Sequence, residues 1–269
     1  MLLEPMFWYG LALKIAMTAG IVVAASIIVE RSGPFIGALI ASLPTAGGAA
    51  LIILAVEHPP QFIANGMVGS LIANASVPVF ALTYAVLAQK RSLPVSLGVA
   101  LLVWLIGVSV ARVYPWTVVS ASVLDAVVFP LTIWASRPFR IEGVKSKVRL
   151  TGRDLAWRAA VVTVVVILVT TASNSIGSVA SGIFAFFPVA MSSFFIILHR
   201  RLGGPAAASV AAHVQLPIVG LSIAFVAVHQ LAVPLGVWWA YLIGLAICVA
   251  WNAVLWLIRQ RQSRWRIET

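Results

Sequence analysis

Apolar residues in this chain neither alternate with period two nor keep to one helical stripe. They fill whole stretches of roughly membrane-spanning length, divided by short polar breaks. Nine stretches stand out, at residues 11–29, 33–56, 62–88, 95–111, 117–134, 155–171, 177–198, 205–228 and 234–258. Each is expected to be a helix, because lipid offers no partners to backbone N–H and C=O groups. Phe7, Trp8 and Tyr9 before the first span, and Trp116 and Trp134 around the fifth, have the placement of interfacial aromatic belts.

The pattern repeats. The run G-P-F-I-G-A-L-I-A-S-L-P-T-A-G-G-A-A-L-I-I-L-A-V-E-H, residues 33–58, carries a proline at its midpoint, and a second copy spans residues 177–199. At an offset of 144 residues Pro44 falls on Pro188, Gly33 on Gly177, Ala46 on Ala190, and Ile52-Ile53-Leu54 on Ile196-Ile197-Leu198. Leu11-Ala12-Leu13-Lys14 meets Leu155-Ala156-Trp157-Arg158 at the same offset. In the third and eighth spans the best offset is 139, which pairs Ser70 with Ser209, Asn74 with His213 and Pro78 with Pro217. Leu97-Gly98-Val99 similarly matches Leu235-Gly236-Val237.

The expected fold is therefore an all-α integral membrane protein of about nine transmembrane helices. Residues 1–115 form one four-helix repeat, residues 116–150 a linking helix with a basic loop, and residues 151–269 the second repeat with a basic tail. The linking helix makes the number of crossings between the two starts odd, so the repeats enter from opposite faces. Inverted-topology repeats of this kind are a common construction in secondary transporters. A fifth span that failed to cross would make the repeats parallel instead.

Composition supports the membrane reading and adds an orientation. Of 269 residues 62% are hydrophobic and 9% charged, and mean hydropathy is +1.06, outside the range of soluble globular proteins. A net charge of +11 is compatible with nucleic-acid affinity, but the basic residues sit in short loops between apolar spans. Of the 18, all but Lys14 and Arg112 fall on one side of the expected topology. The positive-inside rule then places the N-terminus outside and the C-terminus in the cytoplasm of a bacterial-type inner membrane. No nucleic-acid partner is expected. The basic run from Arg137 to Arg153 suits anionic lipid headgroups. Cys248 is the single cysteine, which excludes an internal disulfide and any cysteine metal cluster. Met1–Gly10 has no basic n-region, so a cleaved signal peptide is not expected.

Each half resembles the GlpM-like family of small four-helix inner-membrane proteins. The resemblance rests on the early lysine (Lys14), the I-x-A-L-I-x-x-x-P-T run from Ile36 to Thr45, and the proline-bearing third helix (Pro78). The second half keeps Pro188 but has Val189 after it and Arg158 for the lysine, so it is the more divergent copy. The resemblance implies a four-helix fold unit and a connection to exopolysaccharide production.

Several residues are candidates for function. Pro44 and Pro188 each remove a donor in mid-helix and free the carbonyl four residues earlier. Thr45, Ser192 and Ser193 put polar groups beside the breaks, which suits a discontinuous helix pair lining a central site; simple kinks packed with small residues are the alternative. Asn74 and His213 each precede a proline by four residues, as relay or ligand groups or as interhelical ties. Asp125 stands midway between Trp116 and Trp134, where a charge costs roughly 2.5–3.5 kcal/mol, so it should face protein or water. Lys14 and Asp125, at depths of about 9 and 13 Å from the same side by helical rise, are expected to pair, with a lone snorkelling Lys14 as the alternative. Arg158 is expected to pair with Asp154, and His58, His199 and His229 to be solvated at helix ends.

Catalytic signatures such as H-E-x-x-H, G-x-S-x-G and the Walker A loop are absent from the sequence, so no enzyme activity, metal or cofactor is expected. The leading expectation is a small secondary transporter or exporter, with proton coupling through Asp125, acting on a small solute the sequence does not identify. The competing one is a non-transporting accessory or scaffold for envelope polysaccharide or lipid assembly. Homo-oligomerisation is left open.

Overall fold

The computed structural model describes residues 12, 14–20, 23–24, 45–140 and 151–268. Its elements are α1 (Thr45–Glu57), α2 (Pro60–Leu87), α3 (Leu93–Ala111), α4 (Val118–Ala135), α5 (Gly152–Ala185), α6 (Val189–Leu202), α7 (Gly204–Leu231) and α8 (Val237–Glu268), with a short 3-10 turn at Arg137–Phe139. Residues 14–20 are also helical. Among the described residues there is no strand, and six helical stretches are long and apolar enough to cross a membrane. The chain is an all-α, multi-pass membrane protein.

One of the six stretches, Gly152–Leu202, is 51 residues long and folds back on itself. At Gly177 the backbone takes φ +79° and ψ 173°, a conformation essentially reserved for glycine. Asp154 near the start of α5 is ion-paired to Arg201 near the end of α6, so the chain runs out to Gly177 and returns. The sequence places the seventh span's start at this residue, and here glycine makes the reversal. The returning arm is broken a second time. Phe186 leaves helical geometry, and α6 starts with Pro188 as its N-cap. The expected discontinuity at Pro188 is thus a real interruption. Its loose carbonyls are partly recovered by tight turns, Phe186 N–H donating to Ile183 and Phe187 N–H to Phe184.

Two helices form the core. The most apolar windows of α2 and α7 are 67% and 56% buried inside the protein, against 17–22% for α3, α4 and α8. They lie side by side and antiparallel. Gly204 at the start of α7 abuts the Ala88 carbonyl just past the end of α2, Asn74 meets Ser222 midway, and His229 reaches Ala64 at the other end. Both contain an internal proline, Pro78 and Pro217. In α4, Val119, Val123, Val127 and Leu131 form an exposed apolar stripe while Ala121, Asp125, Phe129 and Thr132 are buried. A four-residue repeat of exposed valine and leucine, opposite a face that hides the carboxylate, is the distribution expected of a helix bordering lipid.

Charge divides the ends. The Gly204–Ala88 and Asp154–Arg201 contacts gather Lys90, Arg91, Arg153, Arg200 and Arg201 at one face. Because α8 packs antiparallel on α7, through Gly244 with Val228 and Trp251 with Gly220, Arg259 and Arg261 lie towards that face as well. The opposite end holds Glu57, His58 and Arg112.

Candidate functional site

The site is built on the pairing of α2 with α7. Asn74 Nδ2 donates to Ser222 Oγ at 2.9 Å, and Asp125 of α4 faces these two side chains. Asn74 is 2% and Asp125 3% exposed. Both Asp125 carboxylate oxygens are buried without a hydrogen bond of normal geometry among the described residues. Asp125 is also the only carboxylate in the middle of a described span; Glu57 ends α1 and Asp154 lies in the first turn of α5. Burying an ionised carboxylate without a partner is costly, and a proton or small cation removes that cost. Asp125, with Asn74 and Ser222 before it, is therefore the place between α4 and the two core helices where a positive charge is best accommodated.

The helix break lies one turn away. The Phe186 ring packs edge-on against Phe225 of α7 at 4.6 Å between centroids, three residues along from Ser222. Phe187 meets Trp104 of α3 edge-on at 5.1 Å. Gly47, in the first turn of α1, rests directly against the Phe186 ring, and a methyl group there would overlap with it. Two matched segments, the start of α1 and the break before α6, thus meet at the Phe186 ring, one turn of α7 from Ser222. At the 144-residue offset α1 and α6 also begin at corresponding positions, Thr45 and Val189. Pro44 itself lies outside the described residues, and only the backbone of Thr45 is described.

Other expected site residues are placed differently. Lys14 does not pair with Asp125: its Nζ sits 2.6 Å from Glu57 Oε1 and donates to Thr170 Oγ1 at 3.2 Å. A depth estimate along one helix fixes height but not the face on which the side chain lies. Ser192 spends its hydroxyl on the Pro188 carbonyl at 2.7 Å, and Ser193 on that of Ala190 at 2.8 Å. Both hydroxyls support the first turn of α6. His213 Nδ1 donates to the Ser209 carbonyl one turn back at 2.8 Å; it lies nine residues before Ser222, about 13 Å along the helix.

Asp154 caps α5, accepting from the Thr151 N–H at 2.8 Å, and holds Arg201 rather than Arg158. The end histidines are half-buried ties between helices. His58 Nε2 lies 2.7 Å from Ser173 Oγ, which itself donates to the Thr170 carbonyl, so the ring is the donor. His199 Nδ1 lies 2.9 Å from the Tyr84 hydroxyl, and His229 Nδ1 donates to the Ala64 carbonyl at 2.7 Å.

Ser222 was not expected. A lone serine in an apolar run carries little signal, although Thr83 matches it at the 139-residue offset, five residues beyond each proline. No family model matches the chain, and no curated protein or solved structure is significantly similar to it. Among the described residues no group of three or more histidine, cysteine or acidic side chains is arranged to hold a metal ion.

Proposed function

We propose that this chain is a small secondary transporter built from two inverted four-helix repeats, about nine helices in all, with Asp125 as its proton-coupling group. The observation that carries the proposal is the buried carboxylate of Asp125 facing Asn74 and Ser222 at the antiparallel crossing of two proline-bearing helices. The pairing of sequence-matched helices α2 and α7 in opposite directions supports the inverted repeat, and so does the meeting of α1 and the α6 break at Phe186. A discontinuous helix beside a polar site is the arrangement by which many transporters bind solute and ion near the midplane. The basic face is read as cytoplasmic, with the N-terminus outside, in a bacterial-type inner membrane. The GlpM-like resemblance supplies the four-helix unit, and its link to exopolysaccharide makes an envelope precursor one solute class to include in a screen.

The test is proton-linked flux in reconstituted vesicles carrying an internal pH dye, screened over amino acids, carboxylates, sugars and inorganic cations. Wild-type protein is expected to acidify or alkalinise the lumen with at least one solute. Asp125→Asn, folded to the same extent, is expected to lose that response. A protein that moves no proton with any solute, and behaves as Asp125→Asn does, fits an accessory role in envelope assembly instead.

A further inference from the structure

The two repeats treat their matched cations differently. Lys14 in the first and Arg158 in the second occupy the same repeat position at the 144-residue offset. Lys14 has its counter-ion in the protein, Glu57. At the same offset the position of Glu57 is filled by Arg201, a second cation, which takes Asp154 for itself. Thr151 N–H, Thr151 Oγ1 and Arg201 all converge on a single oxygen of Asp154, Oδ2.

Arg158 is left inside the fold at 7% exposure, with Nε and Nη1 buried and without a hydrogen-bond acceptor among the described residues. Its guanidinium carbon lies 5.3 Å from the centre of the Phe194 ring, a contact that steadies a cation but does not neutralise it. Asp154, one turn before it, acts on it only at a distance. The residue lies six positions into α5, about 9 Å from its start, below the face where Arg153, Arg200 and Arg201 gather. An unpaired buried guanidinium has two strong donors to offer, and planar recognition of oxyanions is what that group does best.

We infer that Arg158 is the anchor of an oxyanion site for a phosphate group, supplied from outside the chain, between α5 and α6. The local excess of arginines favours a phosphate over a singly charged carboxylate. The inference uses the repeat alignment but not the coupling role of Asp125, so absence of proton flux would leave it standing.

The measurement is the unfolding temperature of the full chain in phosphatidylcholine nanodiscs. One arm adds phosphatidylglycerol to the nanodiscs. The other adds inorganic phosphate, compared with chloride at equal ionic strength. Wild type is expected to be stabilised in at least one arm, by an amount rising with the logarithm of concentration where the ligand is soluble. A response to phosphatidylglycerol alone identifies a lipid headgroup, and a response to inorganic phosphate identifies a solute site. Arg158→Met is expected to lose the response and to be no less stable than wild type in phosphatidylcholine alone.

Should Arg158→Met fail to fold, Arg201→Glu provides the second reading. It restores at the matched position the carboxylate that Glu57 supplies in the first repeat, and it should abolish the response in a folded protein. No stabilisation of wild type in either arm overturns the inference. So does an undiminished response in Arg158→Met, or in Arg201→Glu where that is the variant that folds.

Discussion

Helix α2 makes two seams of opposite character. Against the first part of the returning arm it is dry and close. A methyl group at Gly69 would overlap with the Val179 carbonyl, and one at Gly182 with the Gly66 carbonyl. Ser70, fully buried in the same seam, bridges the carbonyls of Gly66 and Gly182 at 3.2 and 3.3 Å. Against α7 and α4 it is polar midway, holding Asn74, Ser222 and Asp125, and closes to backbone contact at its end, where Gly204 meets the Ala88 carbonyl. Small residues let membrane helices approach until backbones touch, and dispersion over such a contact holds them without any hydrophobic drive. The polar seam carries instead a buried carboxylate, the group to which the proposed function gives the coupled proton. One face of α2 is therefore held by backbone contact, and the other carries the polar cluster on which the proposed function rests.

The largest effect should come from filling the dry seam. Gly69→Ala or Gly182→Ala forces two backbones apart and should cost about 1–3 kcal/mol, the usual range for overpacking. Since the two glycines interlock, the double variant should cost less than the sum, measurable as denaturant unfolding in micelles. Gly177→Ala should fall in a similar range, about 1–3 kcal/mol. Its cause is different: nothing lies near that position, so the penalty is conformational and should not couple to Gly69.

Asn74→Ala, in the polar seam, should cost only about 1 kcal/mol, as interhelical hydrogen bonds in membranes do, while removing most proton-linked flux. Equal loss of stability from Asn74→Ala and Gly69→Ala would erase the contrast between the seams.

The smallest effect concerns His58, at the junction between α1 and α2. Burial is the main cause lowering its pKa below the usual histidine value of 6.5, aided by Lys14 and opposed by Glu57. A lowered pKa means the unfolded chain takes up protons first, so the neutral ring's contribution is whole above about pH 6.5 and declines as pH falls through the window below it. Melting temperature followed from pH 7.5 to 5.5 should drop slightly for wild type and less for His58→Gln.

The all-α, membrane-spanning character was legible in the chain because long apolar runs and prolines act locally. The 139-residue offset matched α2 to α7 through Pro78 and Pro217, but that the two helices pack antiparallel was not read from it. Pro188 marked the break because proline cannot donate in any environment. Asp125 was sure to face inward because a carboxylate has no place in lipid.

What was not legible depends on azimuth and on contacts distant in sequence. Helical rise set Lys14 and Asp125 at similar depths but could not say on which side each lies, and Glu57 at a helix end carried no signal of its own until the fold brought it beside Lys14. Asp154 had two arginines within reach, and only the return of the chain at Gly177 favoured Arg201. The glycines of the dry seam were visible, but nothing in their own helix says which partner they meet.

The most direct test of the central claim is whether the Asn74–Ser222–Asp125 cluster can be reached alternately from both sides of the membrane. Ser222→Cys in a Cys248→Ser background leaves one thiol at the polar seam. It can be challenged with a membrane-impermeant maleimide in right-side-out and inverted vesicles, with the proton gradient imposed in each direction. The account expects labelling from one side under one gradient and from the other side when the gradient is reversed. A thiol that stays unlabelled from both sides under every gradient, in protein that labels fully once unfolded, would contradict it.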